Sequence, residues 1–230
     1  MKLKSYVNDF SLGIISILLY FSTSIIKYIL LDIFNVSSIT GPAAVIYSLA
    51  NEVLLVALIL LVFHKKIEKD IDDIKKNHKK YFKENFKYYL IGIAIMLISN
   101  CILIYGFENG ISGNEESIRS LFGTHPIYVY ISAVLFAPIA EELVFRQGIR
   151  NIIPNDILFI LISGFVFGGL HLIGNVSTFV DFLYIIPYSA LGLAFAYILT
   201  RTNNILVTIG LHMMHNGILM AIQVMVLLFG

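Results

Sequence analysis

The sequence predicts an all-α fold, a polytopic transmembrane helical bundle of about seven spans. Three observations carry that prediction. Hydrophobic residues make up 58% of the 230 residues and the mean hydropathy is +0.84. Charged residues are only 13%, where a soluble domain carries about a quarter. Those charges gather in a few blocks, leaving apolar stretches of about the 20 residues that a helix needs to cross a hydrocarbon core.

The apolar runs lie at about 10–31, 40–63, 88–107, 126–145, 156–175, 181–200 and 204–229. The first follows Lys2 and Lys4, as a signal peptide would. It is too long for a signal core and no small-residue cleavage site follows, so it reads as a retained span. The lone cysteine, Cys101, lies in an apolar run and reads as a packing residue. Between the second and third runs, His64 to Lys87 holds nine lysines interleaved with Glu68, Asp70, Asp72, Asp73 and Glu84. Ile67, Ile71 and Ile74 recur there at helical spacing, which suits an amphipathic surface helix; a solvated charged loop reads equally well. No internal repeat or low-complexity linker is present, so the chain reads as one helical unit. Residues 1–110 supply N-terminal helices with the Lys-rich loop at 64–87, and residues 120–230 supply a core.

Charge placement predicts the orientation. With Lys2 and Lys4 in the cytoplasm and seven spans, the lysine-rich loop falls inside, as do Arg146, Arg150 and Arg201. The loop Glu108–Pro126 falls outside, with Glu108, Glu115 and Glu116 against the single Arg119, and Lys27 lies near the outer end of the first span. The net charge of +1 says nothing about partners. Membrane lipid is the expected surrounding, and no nucleic-acid partner is expected. The excess of lysine over arginine, with frequent isoleucine and asparagine, suggests an AT-rich bacterial source and hence a multi-pass protein of the cell membrane.

Ionisable side chains inside spans are costly and mark functional sites. Three groups qualify: Glu141-Glu142 with Arg146, Phe167 with His171, and His212 with His215 and Asn216. Glu142 and Arg146 are four apart, the acid first, which suits an ion pair on one helical face. Glu141 is turned about 100° away. A carboxylate in a partly apolar setting suits a general base, so Glu141 is assigned to take a proton from water. The same cluster reads also as a juxtamembrane acid–base group facing the cytosol. His171 alone reads as a packed histidine, although Gly164 and Gly168 permit close approach of another helix. His212 and Asn216 share a face, and an imidazole with an amide can polarise a carbonyl and stabilise an oxyanion; an interhelical hydrogen-bond cluster is the plainer reading. Counted along their helices, Glu141 and His171 lie roughly 20 Å from the inner ends and His212 about 14 Å, so one layer can hold all three.

Glu-Glu-x-x-x-Arg, then Phe-x-x-x-His, then His-x-x-x-Asn, in that order on successive membrane segments, resembles the CPBP family, the CAAX-protease and bacteriocin-processing (Abi) intramembrane proteases. The motifs stand as Glu141/Glu142/Arg146, Phe167/His171 and His212/Asn216, and the resemblance covers roughly 126–220. It implies a catalytic core at 120–230 and hydrolysis of a peptide bond in a membrane-associated peptide or protein. Glu141 would activate water, His171 would assist, and His212 and Asn216 would bind the oxyanion. Glu142, Arg146, Phe167 and His215 would support them. Glu141, His171 and His212 could also form a three-ligand site for a divalent metal such as zinc, although no His-Glu-x-x-His pair is present; the metal question stays open. Bacteriocins, leader peptides and secreted-peptide precursors are the expected substrates. A second reading is a non-catalytic binding or immunity protein using the same polar cavity. A transporter fits less well, since the first three spans offer only Lys27, Asn51, Glu52 and Asn100.

Overall fold

The computed structural model describes the backbone of residues 2–33 and 41–229, and the side chains of all of these except 2–6, 24, 27, 28 and 30–32. Lys2, Lys4 and Lys27, whose charges enter the orientation argument, lie outside the described side chains. Every element described is helical: α1 (Lys2–Ile33), α2 (Gly41–Val62), α3 (His64–Cys101), α4 (Gly113–Thr124), α5 (Pro126–Ile152), α6 (Asp156–Leu170), a single turn α7 (Phe179–Phe182), α8 (Ile185–Thr202) and α9 (Ile205–Phe229). Among the described residues five helices are long and apolar enough to cross a membrane, and Val7–Thr23 and Asp156–Leu170 add two shorter apolar stretches. Each of the seven apolar runs thus finds a helix. The chain is a multi-pass membrane bundle.

Helix α8 is the axis of that bundle. It packs most extensively on α6 and next on α3, and Phe195, Ala196, Ile198 and Leu199 are fully enclosed. The α6–α8 contact is close because glycines line it. A Cβ on Gly164 would meet Leu193 at 2.5 Å, one on Gly168 would meet Ser189 at 2.1 Å, and one on Gly192 would meet the Gly164 carbonyl at 2.8 Å. No larger side chain fits there, as small-residue packing in membranes requires. Helix α1 lies against the C-terminal half of α5.

The charged stretch 64–87 is helical and runs without a break into the third span. Its buried stripe differs from the one the isoleucine spacing predicts. Ile67 and Ile74 pack on the core, whereas Ile71 is exposed and Asp70 is buried in its place. The reason is a specific dock. Asp70 accepts from Lys66 and from the Ile205 backbone N–H at 2.9 Å, so it caps α9 from another helix. Lys66 also donates to the Asn203 carbonyl, and the Asn204 amide donates to the Asp70 carbonyl and the Asp73 carboxylate. Asn203 turns the chain between α8 and α9 with φ of 47°, a left-handed conformation that asparagine tolerates better than most residues.

Two further boundaries differ from expectation. The segment 108–126, expected as an outer loop, holds a helix, α4, capped by Ser112 and carrying a Glu115–Arg119 ion pair at 2.7 Å. Arg146, counted among the cytoplasmic basic residues, is wholly buried in the bundle. Arg150 and Arg201 remain near helix ends, where the positive-inside rule counts basic residues.

Candidate active site

Helix α5 is irregular where the site lies. Two π turns, Ser132–Phe136 and Glu142–Gly148, interrupt it, and such turns concentrate at functional sites. The sequence cause of the first is Pro138, which has no N–H to give to the preceding turn. The neighbouring carbonyl of Ala133 is instead met by the Asn216 side chain from α9, whose Nδ2 donates at 2.8 Å. Asn216 therefore ties α9 to the π turn of α5. In this arrangement its amide is engaged with backbone.

The second π turn begins at the paired glutamates. A regular α-helix would turn Glu141 and Glu142 about 100° apart, yet both reach the same ring. His212 Nδ1 is 3.0 Å from Glu142 Oε1, and its Nε2 is 3.8 Å from Glu141 Oε2. A carboxylate oxygen accepts, so Nδ1 carries the proton toward Glu142 and Nε2 is the atom left facing Glu141. The ring is fixed from the sides by Phe195 at 5.4 Å and Phe167 at 5.9 Å between centroids.

The two acids sit in different surroundings. Glu142 is 0% exposed and its other oxygen lies 3.4 Å from Arg146 Nε. The Arg146 guanidinium stacks over the Phe167 ring at 4.1 Å and faces Phe195 at 5.8 Å. None of its nitrogens has a hydrogen-bond acceptor among the described residues. Phe167 thus has a physical task in its motif, as a π-face for a buried cation. Glu141, by contrast, opens into a cavity of about 220 Å³ lined by Tyr20, Thr23, Asn51, Glu52, Ser132 and apolar neighbours from α1, α2 and α5.

His171 stands one ring away from this centre. It caps α6, its Nδ1 donates to the Phe167 carbonyl at 2.9 Å, and its ring stacks on Tyr188 at 4.6 Å. That donation leaves Nε2 as the acceptor. Phe167 links it to the site, lying 4.7 Å from His171. His215 is buried and meets the Tyr89 hydroxyl at 3.4 Å, so it joins α9 to α3. Among the described residues no group of three His, Cys, Asp or Glu side chains is placed to hold a metal ion. Glu141, His171 and His212 do not converge as a zinc site requires, because the Phe167 carbonyl and Tyr188 hold His171 aside. The donor set as arranged does not fit a metal.

The sequence reading singled out Glu52 only as a residue for a transporter path. It accepts from Tyr128 at 2.8 Å and Ser132 at 2.9 Å, and its second oxygen is buried without a hydrogen-bond partner among the described residues. It faces the same cavity as Glu141. Ser163 donates to the Phe145 carbonyl and closes α6 onto the second π turn.

Buried acids and histidines meeting at a π-distorted helix define a class, membrane proteins with a polar site inside the bundle. Comparison with known proteins adds what the chain is similar to. Residues 123–218 match the family described as Type II CAAX prenyl endopeptidase Rce1-like, in agreement with the CPBP resemblance of the three motifs. The chain is similar to an "Uncharacterized protein" of Mycoplasma capricolum, 32% identical over 186 residues, covering 73% of this chain and 53% of that protein. It is also similar to the "Putative membrane peptidase YdiL" of Bacillus subtilis, 27% identical over 150 residues and covering 58% of each. The chain spans somewhat over half the length of these curated relatives. No solved structure matches it.

Proposed function

We propose that the chain is an intramembrane endopeptidase in which Glu141 activates the attacking water. One observation carries the reading: His212 lies between two carboxylates, of which Glu142 is sealed by Arg146 while Glu141 opens on a cavity. Only the open one can meet water and a peptide. Glu141 accepts a proton as the water oxygen bonds to the carbonyl carbon, and His212, in its imidazolium form between the two carboxylates, donates Nε2–H to the developing oxyanion. The C–N bond then breaks and the proton held by Glu141 passes to the leaving nitrogen. His171 and Asn216 act from the edges, His171 through its free Nε2 and Asn216 by holding α5 and α9 in register. The substrate is a membrane-associated peptide or protein, reached with α3 and the N-terminus on the cytoplasmic side.

The test uses the full chain reconstituted in lipid vesicles, together with mass spectrometry of membrane and secreted peptides in producing cells. Wild type is expected to yield defined cleavage products that vanish in Glu141→Gln, His171→Ala and His212→Ala at equal protein levels. If the products and the cellular phenotype survive all three changes, the polar cluster serves binding or immunity and the peptidase reading fails.

A further inference from the structure

A second recess lies away from the proposed site. Side-chain hydrogen bonds tie α3 to α9 and the turn before it at two places: at Asp70 and Asp73 with Asn204, and at Tyr89 with His215. Between those places α3 uses 19 residues and α9 uses 11, or about 28 Å against about 16 Å of helix. The two cannot run side by side over unequal lengths, so α3 slants away and leaves an open groove. Its volume is about 510 Å³, within the ~300–1,000 Å³ of small-ligand sites.

The walls of the groove are apolar and one side is basic. Phe82 and Phe86, stacked at 4.5 Å, form the α3 side, and Gly210 and Met214 form the α9 side. Gly210 is mid-helix, where glycine costs roughly 1 kcal/mol relative to alanine. A Cβ there would meet nothing within 4 Å, so no internal packing demands the glycine. Its effect is to deepen the groove. Lys79 and His78 also line it. On the same helix Asp70 and Asp73 are turned inward to the dock, and no ion pair engages Lys79, Lys80 or Lys83 among the described residues. The basic side therefore lacks its counter-charge. Glu141, Glu142 and His212 do not line this groove.

We propose that the groove binds one anionic phospholipid, an acyl chain lying on Phe82, Phe86 and Gly210 and the phosphate meeting Lys79. An amphipathic, lysine-bearing helix joined to a span places such a groove at headgroup depth. Lipid is the occupant because apolar walls and unpaired lysines are needed together, and an anionic lipid supplies both counterparts in one molecule.

The experiment is native mass spectrometry of the full chain in mild detergent with equal phosphatidylglycerol and phosphatidylcholine. Wild type is expected to retain one phosphatidylglycerol in preference to phosphatidylcholine. Lys79→Gln should reduce that preference roughly fivefold, the factor for one surface lysine. Gly210→Leu, which projects into open space, should lower retention about tenfold with no fall in unfolding temperature, while Gly210→Ala should retain lipid. Phe82→Asp, at a half-exposed position, gives the same reading should the leucine variant misfold. Equal retention of both lipids by wild type would overturn the proposal. So would a lysine effect accompanied by undiminished retention in Gly210→Leu and Phe82→Asp, since surface charge alone would then suffice. Vesicle cleavage by Gly210→Leu reads the peptidase separately.

Discussion

Two inward-turned acid–base pairs in this molecule share a four-residue spacing and have opposite characters. Lys66–Asp70 and Glu142–Arg146 are both four apart and both turned inward. At the foot of α3, both Asp70 oxygens accept from Lys66, one of them also accepts from the Ile205 N–H, and Lys66 reaches the Asn203 carbonyl as well. In α5 the ion pair is a looser 3.4 Å, and the guanidinium nitrogens and Glu142 Oε2 lack hydrogen-bond partners among the described residues. A satisfied pair holds a fold together, whereas a buried polar group left short of partners asks for another explanation. Here the explanation is the histidine: Glu142 gives its better bond to His212 rather than to Arg146. The α3 pair serves docking, and the α5 pair serves the orientation of one imidazole.

The sharpest way to break this contrast is to neutralise the two adjacent glutamates separately. Glu141→Gln keeps shape and is expected to cut kcat by about 10²–10⁴, the range for a general base, with unfolding temperature nearly unchanged. Glu142→Ala should remove activity and also destabilise the bundle by about 3–5 kcal/mol, because Arg146 is left as an uncompensated buried charge. Denaturation in detergent beside a vesicle cleavage assay separates the two. Equal stability of both variants would sink the assignment of Glu142 as the structural acid.

A smaller effect is expected at the dock. Asp70→Ala removes the cap on α9 and leaves the Ile205 N–H buried, a loss of about 1–3 kcal/mol. Cleavage measured below the unfolding transition should be close to wild type, since Asp70 is not among the residues lining the Glu141 cavity. A loss of activity without a loss of stability would show that the two regions are coupled. Glu52→Gln probes the cavity itself. It is expected to change KM a few-fold with kcat held, because Glu52 faces the cavity of Glu141 without touching His212 in the described contacts.

Much of this was legible in the sequence, and the exceptions share a cause. Apolar runs needed only length and composition, so all seven found helices. The Glu142–Arg146 pair followed from helical spacing. The convergence of Glu141 and Glu142 on one histidine did not, because that argument assumes 3.6 residues per turn and Pro138 and the π turns break the period. The cavity lining from α1 and α2 was hidden too, since Tyr20, Thr23 and Asn51 are single polar residues in apolar runs with no spacing signal. Ile71 misled for a similar reason. Periodicity saw three isoleucines, while the decisive residue on that face was an aspartate selected by the α9 N-terminus.

Asp73 gives the finest test of the dock, through pH. Hydrogen bonds from Asn204 at 2.8 Å and from Tyr81 at 2.7 Å hold its carboxyl below the usual range, with Asn77 adding a third. The group lies on the charged part of α3, outside the apolar stretch that begins near Tyr88. A depressed folded value means that the ionised form stabilises the fold. That stabilisation is complete above the unfolded value of about 4 and is lost as pH falls through the lower folded value. The unfolding temperature of wild type should therefore exceed that of Asp73→Asn at neutral pH, and the gap should close as pH is lowered through about 4. A gap that stays constant with pH would mean that Asp73 contributes through its shape and not its charge, and the dock would then rest on Asp70 alone.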